Sequence, residues 1–231
     1  MSDARSEILG RVRSALADVP PEERADDVPV ARDYRRRDEA RRSEVLERFE
    51  DRVRDYRAGV DRCAPEEVGE RVLAACRGWG AKRVIVPPAL PSNWRPMDIE
   101  VIEDHGAGAR ELDELDGAIT GCAVAIAETG TLVLDGEGVS GRRALTLVPD
   151  HHICIVTADQ VVGLVPEAIA AVAPAVTQRR APITFISGGS ATSDIELDRV
   201  EGVHGPRKLL VLIVAGPDPA GEESPRYAVQ A

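Results

Sequence analysis

Aromatic residues are scarce: Phe, Trp and Tyr make up 3% of the 231 residues, although hydrophobic residues reach 43%. The core must therefore be built from Val, Ile, Leu and Ala, and a stacking platform for bases or sugars is not expected. Positive charge is outnumbered as well. Lys plus Arg is 29 against 40 Asp plus Glu, a net of −11 at pH 7. That balance argues against a nucleic-acid binder, whose affinity rests on neutralising phosphates with Lys and Arg. Long apolar runs are missing: stretches such as Leu209–Ala215 fall far short of the roughly 20 residues that cross a bilayer. No apolar segment follows Met1-Ser2-Asp3-Ala4-Arg5, so no signal peptide is read and the cytoplasm is the expected compartment.

Metal and redox signatures are absent too. Cys63, Cys76, Cys122 and Cys154 are scattered, with no C-x-x-C pair, and read as reduced structural thiols. The adjacent pair His151-His152 would point to opposite faces of a strand and so cannot serve one metal. A metal site would need His105, His151, His152 and His204 to converge with acids, and none is expected.

What is present falls into zones. The first sixty residues carry dense charge of both signs. Ser6–Leu16 has one apolar face, Ile8, Leu9, Val12 and Leu16, with Ser2 or Asp3 as the cap. Asp18–Pro29, rich in Pro and acids, reads as a mobile linker. Arg35–Tyr56 reads as one long charged helix with a thin apolar stripe, its Arg and Glu residues pairing along the surface. Residues 1–60 are thus expected to form a helical extension, 61–216 an α/β domain and 217–231 a flexible tail.

Within 61–216, Pro65-Glu66-Glu67 opens a helix that ends near Gly78. Short apolar strands are expected at Val84–Val86, Ile99–Ile102, Ala123–Ala127, Leu132–Leu134, Ala144–Val148, Ile153–Val156, Ile183–Ile186 and Leu209–Val214. A helical turn at Leu112–Leu115 and a helix opened by Pro166 lie between them. Continuously apolar strands alternating with helices predict a sheet covered on both faces, the α/β class.

Four segments interrupt the strands with polar or glycine residues. Glu128-Thr129-Gly130-Thr131 is either an anion-holding turn or an ordinary hairpin. Gly138–Arg143 feeds Arg142 and Arg143 into a strand, where at most one of them can face a given pocket. Pro149-Asp150-His151-His152 offers a neutral imidazole for acid–base work. Ser187–Glu196, followed by Gly202-Val203-His204-Gly205-Pro206, is a glycine-rich loop at a strand's end. It has neither the Lys-Ser/Thr of a P-loop nor a dinucleotide fingerprint, so ATP and NAD are not supported. Together these segments suggest a polar pocket at strand ends that suits a small anion.

The run Ala127–Leu132, then Thr146–Pro149 with His152, then Thr192–Glu196 and Gly202–Pro206 resembles the lactate utilization protein C family, part of the wider LUD-domain group. The resemblance spans most of the chain. It implies a fold like that of sugar-phosphate isomerases, glucosamine-phosphate deaminases and CoA transferases, a parallel-rich sheet between helices. It implies participation in oxidising L-lactate to pyruvate beside two iron–sulfur proteins, this chain being the member without clusters or other cofactors. On that reading Glu128 and His152 are the candidate acid–base groups. The candidate ligand-binding residues are Thr129, Gly130, Thr131, Arg142, Arg143, Gly188, Ser190, Thr192, Asp194, Glu196 and His204. The chain departs from the family at Gly189, usually Pro, and Ala191, often Arg, which leaves Arg142, Arg143 or Lys208 to hold an anion. Two other readings compete: a stand-alone enzyme acting on a phosphosugar or CoA thioester through Glu128, and a non-catalytic assembly module docking through residues 1–60.

Overall fold

The computed structural model describes residues 2–20, 24, 30–193, 199–201 and 205–215. The chain divides into two compact units, Met1–Arg35 and Arg36–Ala231. The described residues of the first hold one helix, α1 (Ser2–Ala15), whose Ile8, Leu9 and Val12 are exposed.

The second unit begins with α2 (Arg42–Asp55), β1 (Gly59–Cys63), α3 (Val68–Trp79), β2 (Arg83–Val86), β3 (Glu100–Glu103) and α4 (Ala109–Asp113). It continues through β4 (Gly117–Gly121), β5 (Val124–Ile126), β6 (Thr131–Leu134), β7 (His151–Thr157) and β8 (Val161–Val162). Last come α5 (Val165–Arg179), β9 (Thr184–Ile186), β10 (Ala191–Ser193), β11 (Arg199–Glu201) and β12 (Lys208–Val214).

Six strands form a sheet in the order β1-β12-β7-β4-β2-β3, and every pairing in it is parallel. Its central strands β7 and β12 are apolar on both faces, as strands covered on both sides must be. On one face Ile153, Ile155, Leu212 and Val214 meet Val68, Val72 and Cys76 of α3. On the other, Cys154, Val156, Val211 and Ile213 meet Val45, Phe49 and Val53 of α2 together with Ala125 and Leu132 of a second sheet. That sheet has four strands in the order β8-β5-β6-β9, and α5 packs on its outer side through Ala168 and Val172. The architecture is α/β with a parallel-rich sheet between helices, as expected.

The small sheet positions the site. Its hairpin β5–β6 lies in the crossover from β4 to β7, and β8 and β9 lie in the crossover from β7 to β12. Two connections far apart in sequence therefore share one sheet over the same face of β7.

Several local expectations are corrected. The helix expected over Arg35–Tyr56 begins only at Arg42. The Asp38 carboxylate accepts from the Ala40 N–H at 3.1 Å and pairs with Arg48 at 2.8 Å, which turns the chain before the helix starts. With Val45, Phe49 and Val53 buried, α2 belongs to the core of the second unit, whereas residues 1–60 were expected to lie outside the domain. The strand expected at Ala144–Val148 is a 3₁₀ turn over Arg143–Thr146, where Thr146 Oγ1 donates to the Arg143 carbonyl at 3.1 Å. Strand β4 has no counterpart in the sequence reading because Gly117-Ala-Ile-Thr-Gly121 has the look of a loop. Its glycines are required by close packing: a Cβ at Gly121 would lie 2.8 Å from Val139 Cγ2, and one at Gly117 3.1 Å from the His151 carbonyl oxygen. Strand β1 also escaped notice, since Asp61 and Arg62 give an edge strand little apolar signal.

Candidate active site

Side chains alternate along β7, so the two histidines part company. His151 turns to the α3 face, where its ring stacks on Trp79 with centroids 4.8 Å apart and its Nδ1 meets the Asp116 carbonyl at 2.7 Å. His152 turns toward the small sheet and is buried to 1% exposure. Its Nε2 shares a hydrogen bond of 2.8 Å with Thr120 Oγ1 of the neighbouring strand β4. Burial pushes the imidazole pKa down to about 4. The ring is therefore neutral at pH 7 and can accept a hydrogen bond at one nitrogen and donate one from the other.

His152 lines a cavity of about 240 Å³. The 3₁₀ turn contributes Arg143 and Thr146, β9 contributes Thr184, and the loop after β9 contributes Ser187, Gly188 and Ser190. Leu209, at the start of β12, completes the wall. His152 and Leu209 are both near the N-terminal ends of their strands, so this cavity lies at the edge opposite the one where open α/β sheets usually hold ligands.

Hydroxyls tie the two crossovers together. Thr129 Oγ1 and Thr131 Oγ1 are 2.7 Å apart, and Thr131 Oγ1 and Ser187 Oγ are again 2.7 Å apart. The Glu-Thr-Gly-Thr hairpin thus reaches the cavity through Ser187. Gly130 has φ 59°, and a Cβ there would lie 2.6 Å from the Arg52 carbonyl carbon, so only glycine lets the hairpin close against α2. Gly188, at φ 83°, passes Tyr56 in the same way, with 2.5 Å to its Cβ. Ser190 N–H donates to the Pro206 carbonyl at 2.8 Å, which holds the loop against the entry to β12.

The adjacent arginines also divide. Arg143 is exposed, donates to Thr184 Oγ1 at 2.9 Å and faces the cavity. Arg142 does not face it. Both arms of its fork engage Asp104, at 2.5 and 2.8 Å. Those bonds hold the Asp104 carboxyl below its ordinary range, and Arg142 is spent in joining the 3₁₀ turn to the end of β3.

The remaining candidates fall outside the cavity or outside the described residues. Glu128 is exposed on the hairpin and is not part of the cavity wall, which separates it from His152. Thr192 lies on β10, where only the backbone is described. Asp194, Glu196 and His204 lie outside the described residues. Among the described residues no cluster of His, Cys, Asp or Glu could hold a metal ion. No helix among them is long and apolar enough to cross a membrane.

Sequence reasoning missed Thr120 and Thr184, and named Ser187 only as the start of the glycine-rich loop. Thr120 had a signal: a lone hydroxyl in an otherwise small and apolar run, buried to 0% exposure. Thr184 had none, and the loop signal at Ser187 did not reveal its partner, since each meets a residue some forty to fifty-six positions away in sequence. The cysteines are all buried free thiols, and burial pushes Cys63 and Cys76 up to about 11.

Comparisons with known proteins agree with this architecture. Residues 43–214 match the LUD domain. A protein called lactate utilization protein C from Deinococcus radiodurans is 44% identical over 92% of this chain and 96% of its own length. A protein called YkgG from Escherichia coli, described as uncharacterized, is 26% identical over 92% of this chain and 98% of its own. The crystal structure of a DUF162 family protein from Deinococcus radiodurans superposes with a TM-score of 0.67 at 42% identity. It covers 77% of this chain and 99% of that one.

Proposed function

The chain belongs to the LUD domain family, and from that premise we propose that it acts in lactate utilization, as the cluster-free member of an iron–sulfur system that oxidises L-lactate to pyruvate. What carries the reading is the near-complete coverage of a relative bearing the lactate utilization name. The His152 cavity supports it chemically.

A 2-hydroxy acid offers one carboxylate and one hydroxyl. Arg143 supplies a guanidinium at the cavity wall, suited to the carboxylate. His152, neutral and held by Thr120, is suited to a hydrogen bond with the hydroxyl. Thr146, Thr184, Ser187 and Ser190 offer hydroxyl donors around the same space. Oxidation to the 2-oxo acid also removes the Cα hydrogen as a second proton together with two electrons, and the iron–sulfur partners would supply the acceptor for those electrons. The system operates in the cytoplasm.

The competing enzyme on a phosphosugar or CoA thioester would use Glu128. That carboxylate lies outside the cavity, so no observation favours it. An assembly module docking through residues 1–60 would have to use α1 and the segment leading to α2, because α2 buries its apolar face in the core.

The test is affinity purification from cells grown on L-lactate, with iron and lactate oxidation measured on the eluate. Iron–sulfur proteins that co-elute with activity support the complex. Activity that survives Arg143→Ala and His152→Gln unchanged would remove the cavity from the account. A clean, iron-free, inactive chain would overturn the complex itself.

A further inference from the structure

A second and larger cavity, about 450 Å³, opens beside the first. Its walls include Tyr56 and Arg57 from the end of α2, Trp79 from the end of α3, and Arg207 and Lys208 at the entry to β12. We propose that this cavity binds a nucleoside phosphate, with the phosphate on Arg207, Lys208 and Arg57 and the base against Trp79 and Tyr56.

Charge is the first argument. The chain as a whole carries a net of −11, yet among the described residues this cavity is lined by three cations and no carboxylate. Among the described residues neither Arg57 nor Lys208 forms an ion pair, and Arg207 has only Asp150, at 3.6 Å. Cations in excess of their acidic partners suit an anionic ligand, and guanidinium forks suit phosphate oxygens.

Shape is the second. The volume falls in the range of small-molecule pockets and far exceeds what a lone phosphate fills. Aromatic composition is the third. Seven aromatic residues in the chain argued against a stacking platform, but the fold brings two of them to this one cavity. One face of Trp79 is already covered by His151, which fixes the indole as a flat wall. Base stacking on such a wall tolerates any base, so the nucleobase is left open.

The two cavities share the wall made by Gly189, Ser190 and Leu209, so a nucleotide here would sit next to the first site without using Arg143 or His152. The proposal does not rest on the lactate reading, and its test does not use lactate.

Trp79 and Trp94 are the two tryptophans. In the full-length Trp94→Phe chain, Trp79 is the only indole, and its emission reports on the cavity. Titration with ADP is expected to change that emission saturably. Inorganic phosphate is expected to compete weakly. Replacing Arg207 and Lys208 together by Ala is expected to weaken ADP binding by about tenfold or more, the loss of two charge-assisted contacts. Arg143→Ala is expected to leave ADP binding unchanged. Raising the salt concentration should weaken it, because the three cations are solvent-exposed. Titration calorimetry on the unaltered chain gives the same comparison should Trp94→Phe fold poorly. No saturable ADP signal up to millimolar concentration, or equal affinity with and without Arg207 and Lys208, overturns the site. Phosphate binding as tightly as ADP overturns the nucleoside part.

Discussion

Ile153 and Ile155 point from β7 into an aliphatic layer against α3, while His152, Cys154 and Val156 point the other way, toward the small sheet. The two layers close differently. Near β7, a single amphipathic helix covers the first, with Val68, Val72 and Cys76 packed in one cluster with Ile153 and Ile155. The second is covered by a sheet assembled from two crossovers, whose meeting leaves the cavity at the N-terminal ends of β7 and β12. A cover made of one continuous element can be packed by hydrophobic pattern alone. A cover made of two needs hydroxyl pairs and glycine contacts to join them, and it is there that polar chemistry is tolerated.

Substitutions on the two faces of β7 should separate these roles. The largest effect is expected from Ile153→Ala on the helix-covered face, a loss of about 2–5 kcal/mol in urea unfolding with no specific effect at the cavity. A comparable effect on the other face should appear only with pH. The unfolded chain takes up a proton at His152 near pH 6.5, while the folded chain resists it down to about 4. Between those values the unfolded state binds more protons, so stability rises with pH across the window and levels off above it. The full span is roughly 3 kcal/mol. His152→Gln should flatten that part of the profile, and an unchanged profile would place the ring in water.

Smaller effects follow from the joints. Thr131→Val removes the hydroxyl that links Thr129 to Ser187, and should cost about 1–2 kcal/mol by chemical denaturation. The two arginines offer the sharpest contrast. Arg142→Ala strands the buried side of Asp104 and should cost about 1–3 kcal/mol. Arg143→Ala should stay within about 0.5 kcal/mol of the parent in stability while weakening pyruvate or lactate binding measured by calorimetry. Equal stability losses at both positions would erase the distinction between a structural and a ligand-facing arginine.

Much of the fold was legible in the sequence. The runs Ile153–Val156 and Leu209–Val214 are too continuously apolar to be anything but strands covered on both faces, and Pro166 marks the start of α5. The opposite orientation of His151 and His152 also follows from strand alternation alone. The site was less legible. Arg142 and Arg143 are equivalent as letters, and only Asp104, thirty-eight residues away, distinguishes them. Glu128 stood out in its motif but is exposed on the far side of a hairpin turn, whereas Thr120, the partner of His152, sat in a segment that looked like a loop.

The sequence by itself determined the class: continuously apolar strands, helix starts and family motifs are local or pairwise signals that a one-dimensional reading can recover. The tertiary structure decided which polar groups meet. Thr131 with Ser187, His152 with Thr120, and Arg207 and Lys208 with Arg57 and Trp79 are brought together by crossovers between distant segments. Their chemistry depends on burial and approach, and a side chain acquires both only from the neighbours the fold gives it.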